Sequence, residues 1–241
     1  MKLVVINRDC DTERLKEFRN ANAHIDDIRR FSAVEGTTLD REELIAGGIM
    51  KPDLSYSKGA LGSAMSHILL WNAVLENDEP ACIFEDDAML CRNFISQSEK
   101  ILSELPEDWD IILWGSNADI SLTFELLPDV TYCVARFNET LVRLGAEKFR
   151  KLDVRSLPFR LYHTLGICGY AISPKGARRM LDVCLPLHNK KRYHFRTHDT
   201  LFNTSLDHVM SEHYESLASF VSFPALCITK NEHAKSTIIS S

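Results

Sequence analysis

The sequence predicts an α/β fold, a mostly parallel sheet flanked by helices, and three observations carry that prediction. Short apolar runs, a β-branched one at 3–6 and another at 81–84, read as buried strands. Stretches with helical spacing of apolar residues follow them, as at Met65, Leu69 and Ala73. Clusters such as Asn77-Asp78-Glu79-Pro80 punctuate the boundaries as turns. Strands alternating with helices are the pattern of a parallel sheet covered on its faces.

Taken in order, residues 3–6 form a first buried strand, and Asp11 or Thr12 caps a helix through about residue 20. Glu13 and Glu17 suit the positive end of that helix. A weaker strand at 31–34 ends at Glu35-Gly36, and a short helix at 40–44 is stopped by Gly47-Gly48. Residues 59–76 form a long helix. The strand at 81–84 runs straight into Glu85-Asp86-Asp87, a helix follows over 93–105, and 109–115 is the next strand.

From 117 to 161 the pattern is less legible, with strands expected near 131–136 and a basic stretch over 143–160. Residues 166–172 read as a strand, and Pro174 opens a helix through 183. The basic-aromatic run 190–196 reads as a loop. Residues 205–216 are partly helical, 217–221 and 225–229 are strand candidates, and the tail is polar. With no repeat, low-complexity tract or linker, residues 1–241 are expected to form one domain.

A net charge of -6 disfavours nucleic acid as a partner, because phosphate-backbone binding needs a basic face. The first eight residues lack the length and cleavage site of a signal peptide, and no apolar run approaches the roughly 20 residues of a membrane span. The expected compartment is the cytoplasm, with a peripheral contact at a membrane surface left open. Seven scattered cysteines without a CxxC pair read as free thiols in a reducing compartment.

Four segments carry candidate chemistry. Glu85-Asp86-Asp87 directly after a buried strand would repel one another, and a divalent cation compensates such a cluster; a solvated acidic turn is the alternative. In open α/β sheets, ligands collect beyond the carboxyl ends of strands, where this triplet falls. Gly59 to His67 opens a helix with glycines that favour close approach of an anion, and Ser66 and His67 lie about one turn inside. A satisfied core histidine is the commoner outcome at such a position. The glycines of Gly166-Ile167-Cys168-Gly169-Tyr170 and the Ser173-Pro174 cap are explained mainly as architecture. Asp207, an acid amid apolar neighbours, is a candidate general base.

In this order and spacing the segments resemble glycosyltransferase family 25, the lipooligosaccharide galactosyltransferase family. The resemblance rests on Val4-Val5-Ile6-Asn7 with Arg14, on the run from Gly62 to Trp71, on Ile83-Phe84-Glu85-Asp86-Asp87, and on Gly169 to Ala177. Asp207 stands for the aspartate of a Pro-Val-Asp motif, and His233 to Ile238 is similar to the closing segment. Ser63, Ala60 and Ser205-Leu206 depart from the usual residues.

The resemblance implies a GT-A-like fold and an inverting transfer of a sugar, galactose by family habit, from a UDP-sugar to a saccharide or glycolipid acceptor. It implies Mn²⁺ or Mg²⁺ held by Asp87 and Asp86, with Glu85 in support and His233 as a further ligand. Asn7, Arg14, Gly62, Ser66, His67, Glu85 and Asp86 would bind the donor. Asp207 would be the base, with Asp199 and Glu212 as substitutes. The run 190–196 with His198 would meet an anionic glycolipid or the membrane surface, or be a solvated loop. Two other readings stand beside this one. The first is a catalytically inactive nucleotide-sugar-binding or scaffold member of the same fold. The second is a metal-dependent phosphohydrolase, for which no phosphatase motif stands out.

Overall fold

A computed structural model describes residues 1–230. The apolar N-terminal run forms β1 (Lys2–Asn7), and α1 (Thr12–Ala21) follows with Phe18 buried. Next come β2 (Ile28–Ser32) and α2 (Arg41–Ala46), the latter capped by Asp40, whose carboxylate accepts from the amides of Glu42 and Glu43. The long α3 (Lys58–Asn77) starts at Ser57, whose hydroxyl accepts from the Ala60 amide, and stops at Asp78 in the left-handed region, φ 50°.

The chain continues through β3 (Ala81–Glu85), β4 (Ala88–Leu90), α4 (Phe94–Glu104) and β5 (Ile111–Gly115). The stretch that was hard to read contains β6 (Leu122–Leu127), β7 (Thr131–Ala135), α5 (Glu139–Phe149) and β8 (Leu157–His163). Then come β9 (Gly169–Ile172) and α6 (Pro174–Cys184), with Ser173 as cap and Pro174 at the helix start as expected. β10 (Lys191–His194), β11 (Asp199–Phe202), α7 (Leu206–His213), β12 (Ser219–Phe223) and β13 (Cys227–Thr229) complete the described chain.

Nine strands form one sheet in the order β2-β1-β3-β9-β5-β12-β8-β6-β7. The expectation of a mostly parallel sheet is corrected here: the sheet is mixed. β1 pairs in parallel with β2 and β3, and β5 with β12, while the other neighbours are antiparallel. Where helices intervene, as between β1, β2 and β3, the crossover returns the chain to the same end. β3, β5 and β12 also share one direction, but β9 slots between β3 and β5 and runs against both. Residues 128–130 join β6 to β7, a connection that permits only an antiparallel pair. Hydrophobic periodicity reports burial, and strand direction leaves no mark in it.

Side chains of the central strands alternate between two cores, giving helices on both faces. Ile83, Ile111, Leu113 and Tyr170 point to one core with Trp71 of α3 and Met180 of α6; Phe84, Ile112 and Trp114 point to the other with Phe18 and Phe94. No helix among the described residues is long and apolar enough to cross a membrane. The described residues contain no disulfide, and five of the seven cysteines are buried.

The run 190–196 is also corrected, from a loop to half of a hairpin in which β10 pairs antiparallel with β11. Alternation on a hairpin puts Lys191, Tyr193, Thr200 and Phe202 outward, while His194 turns in and stacks on His163 at 3.9 Å between centroids. Arg196 lies over the rings of Tyr162 and Tyr132, fastening the hairpin to the sheet.

Burial, and then the neighbouring His194, lower the His163 pKa from 6.5 to about 3. Between those values the unfolded chain binds a proton that the folded chain refuses, so stability falls as pH drops below 6.5. The slope contributed by this one group approaches about 1.4 kcal/mol per pH unit. Urea unfolding from pH 7 to 4.5 should therefore show a flatter decline in His163→Leu than in the wild type. Parallel declines would remove His163 as the cause.

Candidate active site

A cleft of about 810 Å³ opens beyond the carboxyl ends of β1 and β3, within the size range of small-molecule sites. The parallel register of the two strands, Ile6 opposite Glu85, brings Asn7 and the acidic triplet to one rim. Asn7 is buried and donates from Nδ2 to Asp86 Oδ2 at 2.7 Å and to the Asp11 carbonyl at 3.1 Å. Arg14, in the first turn of α1, donates from Nε to Asp86 Oδ1 at 2.9 Å and from its Nη2 to the same oxygen. Asp86 is thus compensated by protein groups.

Asp87 is different. Its Oδ2 accepts from the Thr229 hydroxyl at 2.9 Å, and its buried Oδ1 has no hydrogen-bond partner among the described residues. Burial, and then the nearby Glu85 carboxylate, raise its pKa above the usual carboxylate range. Glu85 also reaches the cleft, with its Oε1 4.0 Å from Nε2 of the buried His67. His67 Nδ1 meets the Tyr170 hydroxyl at 2.8 Å, and the Trp71 indole donates to that hydroxyl at 2.9 Å.

Asp207, in the first turn of α7, also lines the cleft. Its Oδ2 accepts from the Gly166 amide at 2.8 Å, and its Oδ1 accepts from the Ser205 hydroxyl. Gly166 has φ +86°, and a Cβ there would lie 2.2 Å from Asn117 Oδ1. Only glycine adopts this conformation without strain and presents its amide to Asp207.

A profile of glycosyltransferase family 25, described as an LPS biosynthesis protein family, matches residues 1–197. The chain belongs to glycosyltransferase family 25. No curated protein matches this family 25 chain significantly. Among solved structures it is similar to A197 from STIV, at TM-score 0.36 and 10% identity, over 95% of this chain and 83% of that one. It is also similar to a mannose-1-phosphate geranyltransferase from Thermus thermophilus, at TM-score 0.35 and 13% identity, over 90% of this chain. The family 25 chain spans 57% of that second protein. Likenesses this distant do not bear on its function.

The remaining expected site residues fall into three groups. Ser66 lines the cleft and Gly62 lies behind it: a Cβ on Gly62 would lie 2.5 Å from the Val34 carbonyl, and the Val34 amide donates to Ser66 Oγ at 2.9 Å. Ser66 in turn donates to the Gly62 carbonyl at 2.8 Å. Asp199 lies exposed on the hairpin, and Glu212 accepts from Lys190 at 2.6 Å; neither lines the main cleft. His233 lies outside the described residues.

Several cleft residues of this family 25 chain escaped the sequence reading. Arg8, Lys58 and Lys230 line it; Arg8 pairs with Asp11 and Glu35, and Lys230 with Glu147. Arg8 directly follows Asn7 at the end of a buried strand, and that position was the available signal. Thr229 carried none, since its partner Asp87 is remote in sequence; nor did Tyr170, which lies behind the cleft against His67.

Among the described residues no group of three or more His, Cys, Asp or Glu side chains is placed to hold a metal ion. A cation that borrows ligand oxygens asks for less, one or two carboxylates. The orphaned, buried Oδ1 of Asp87 beside Glu85 fits that requirement.

Proposed function

We propose that this family 25 member, with a GT-A-like fold, is an inverting hexosyltransferase. It would move a sugar, galactose in the first instance, from a UDP-sugar to a saccharide acceptor of a lipooligosaccharide or related glycan. The observation that carries this reading is that Asp87 and Asp207 line one cleft, the first with an unpartnered buried carboxylate oxygen and the second as a carboxylate suited to accept a proton.

Asp87 would hold Mn²⁺ or Mg²⁺ together with the donor diphosphate. When bound, the divalent cation offsets the charge gathering on the departing UDP. Asp86 fixes Arg14 and Asn7 at the nucleotide end, and Lys58 at the start of α3 would meet the diphosphate. Gly62 and Ser66 act indirectly, by docking the segment 33–36 against α3.

For inversion the acceptor hydroxyl oxygen bonds to the anomeric carbon from the face opposite UDP. The bond from that carbon to the diphosphate breaks, and its electron pair leaves with UDP. Asp207 takes the hydroxyl proton as the new bond forms. The Gly166 amide and Ser205 hydroxyl hold the carboxylate still while leaving further lone pairs for that proton.

The hairpin supports a glycolipid acceptor at the cytoplasmic face of a membrane. It shows Tyr193, Phe195 and Phe202 to solvent beside Lys191, and it leads directly into Ser205 and α7. Aromatic rings beside cations suit sugar faces and anionic headgroups.

A donor panel tests the reading. UDP and UDP-hexoses, with and without Mn²⁺, are scored for heat stabilisation and for release of UDP when a saccharide acceptor is added. Stabilisation by UDP that requires Mn²⁺, with faster UDP release on adding acceptor, is the expected result. Absence of any UDP effect, or release of inorganic phosphate in place of UDP, overturns it.

A further inference from the structure

We infer that His67 and Glu85 form a two-sided subsite for one hydroxyl group of the donor sugar, with its polarity set by a Trp71–Tyr170–His67 relay; this rests on the nucleotide-sugar reading above. An indole N–H can only donate, so the Tyr170 oxygen accepts from Trp71 at 2.9 Å. The tyrosine proton then needs an acceptor, and His67 Nδ1 lies 2.8 Å away in a buried setting. The opposite arrangement, with Nδ1–H donating, would leave the tyrosine proton stranded in the core, a costly outcome. Nδ1 is therefore the acceptor, and the ring proton sits on Nε2.

That Nε2–H is buried and has no partner among the described residues, although the His67 ring lines the cleft. Glu85 Oε1 is 4.0 Å away, too far for a direct hydrogen bond. A hydroxyl oxygen about 2.8 Å from each atom would span the gap with an angle of about 90°, once the side chains that now cover Nε2 move aside to admit it. It would accept from Nε2–H and donate to the carboxylate, satisfying both with a single group. Water can occupy the same place, but a sugar hydroxyl does so with its ring held in register. Glu85 lies one residue before Asp86 and two before Asp87, so this register would place the sugar next to the diphosphate end of the cleft.

The relay residues Trp71 and Tyr170 touch no substrate and are positioning residues. Tyr170 is fully buried in the core, so its hydroxyl serves His67 and Trp71 and does not reach the cleft.

Single-position deoxy analogues of the UDP-hexose that turns over fastest provide the test, alongside UDP alone. In the wild type, one deoxy position is expected to lower kcat/KM by about 10- to 100-fold, because a buried donor and acceptor lose their partner. In Glu85→Ala the parent donor should fall toward the deoxy level, and the same deoxy penalty should shrink below about 3-fold. A cooperative melt of the unliganded variant shows that it folds, and comparing parent with deoxy donor within Glu85→Ala cancels any change in cation or UDP affinity common to both. Tyr170→Phe should reduce the penalty while ¹⁵N spectra of His67 change from the Nε2–H tautomer to a mixture.

Equal kcat/KM for every deoxy donor overturns the subsite and leaves the nucleotide-sugar reading standing. So does a penalty that survives in Glu85→Ala, or an Nδ1–H tautomer in the wild type; equal kcat/KM would point to a direct His67–Glu85 contact formed by side-chain rotation. Failure of the wild-type protein to bind either UDP or any UDP-sugar removes that reading, and the subsite with it.

Discussion

Asp207→Asn is expected to lower kcat by about 10²- to 10⁴-fold, the usual worth of a positioned general base. The loss corresponds to about 3–5 kcal/mol of barrier height. The substitution keeps the size of the side chain and one acceptor for the Gly166 amide or the Ser205 hydroxyl, both of which now meet Asp207. What it removes is the lone pair that receives the acceptor's proton. UDP affinity in the presence of Mn²⁺ should stay within about 2-fold, a change of less than about 0.5 kcal/mol on the usual scale. Steady-state UDP release, with calorimetric titration of UDP, separates the two quantities. Turnover near the wild-type rate would take the base assignment from Asp207, and a matching fall in UDP affinity would show a disturbed cleft instead.

Asp87→Asn should abolish the part of UDP binding that depends on the cation. At a ligand concentration of about 100 Kd, binding stabilises the wild-type fold by about 2.7 kcal/mol, and that gain should vanish. Without ligand the sign reverses. Asp87 is held against burial and against Glu85, and its pKa is raised in consequence. A neutral amide escapes both penalties and can keep the Thr229 contact, so the unliganded variant should melt no lower than the wild type. Melting curves with and without UDP and Mn²⁺ read both effects. A residue kept for the fold alone would show the opposite: a less stable empty protein with undiminished ligand response.

The contrast between Asp86 and Asp87 marks how far residues alone disclose this site. Three consecutive acids after a buried strand announced a charged corner, and β3 ends there as expected. Their division of labour was hidden, because Arg14, which neutralises Asp86, and Asn7, which hydrogen-bonds it, come from α1 and β1. Likewise Gly62 and Ser66 read as ligand contacts, whereas the space they leave is filled by Val34 and Gly36. Helix starts were legible at Asp40 and Ser173, whereas the caps Ser57 and Asn138 went unread. Local chemistry of that kind spans a few residues and survives in the sequence. The hairpin of β10 and β11 was less so: its outward positions carry Lys191 and Tyr193, and its anchor is a histidine stack with β8. β4 is only three residues long and gains its partner, β13, from far along the chain.

Strand β5 has a bearing on how the protein is made. Its residues 111–115 are all buried, and both flanks are closed by strands that come later, β9 and β12. A ribosome adding roughly 5–20 residues per second needs about 3–11 s to travel from the end of β5 to the end of β9. Throughout that interval an Ile-Ile-Leu-Trp segment waits with bare edges, the situation in which chains stick to one another. Yield in a host cell should therefore follow the supply of holding chaperones, and any shortened version ending before β9 keeps that segment permanently unprotected.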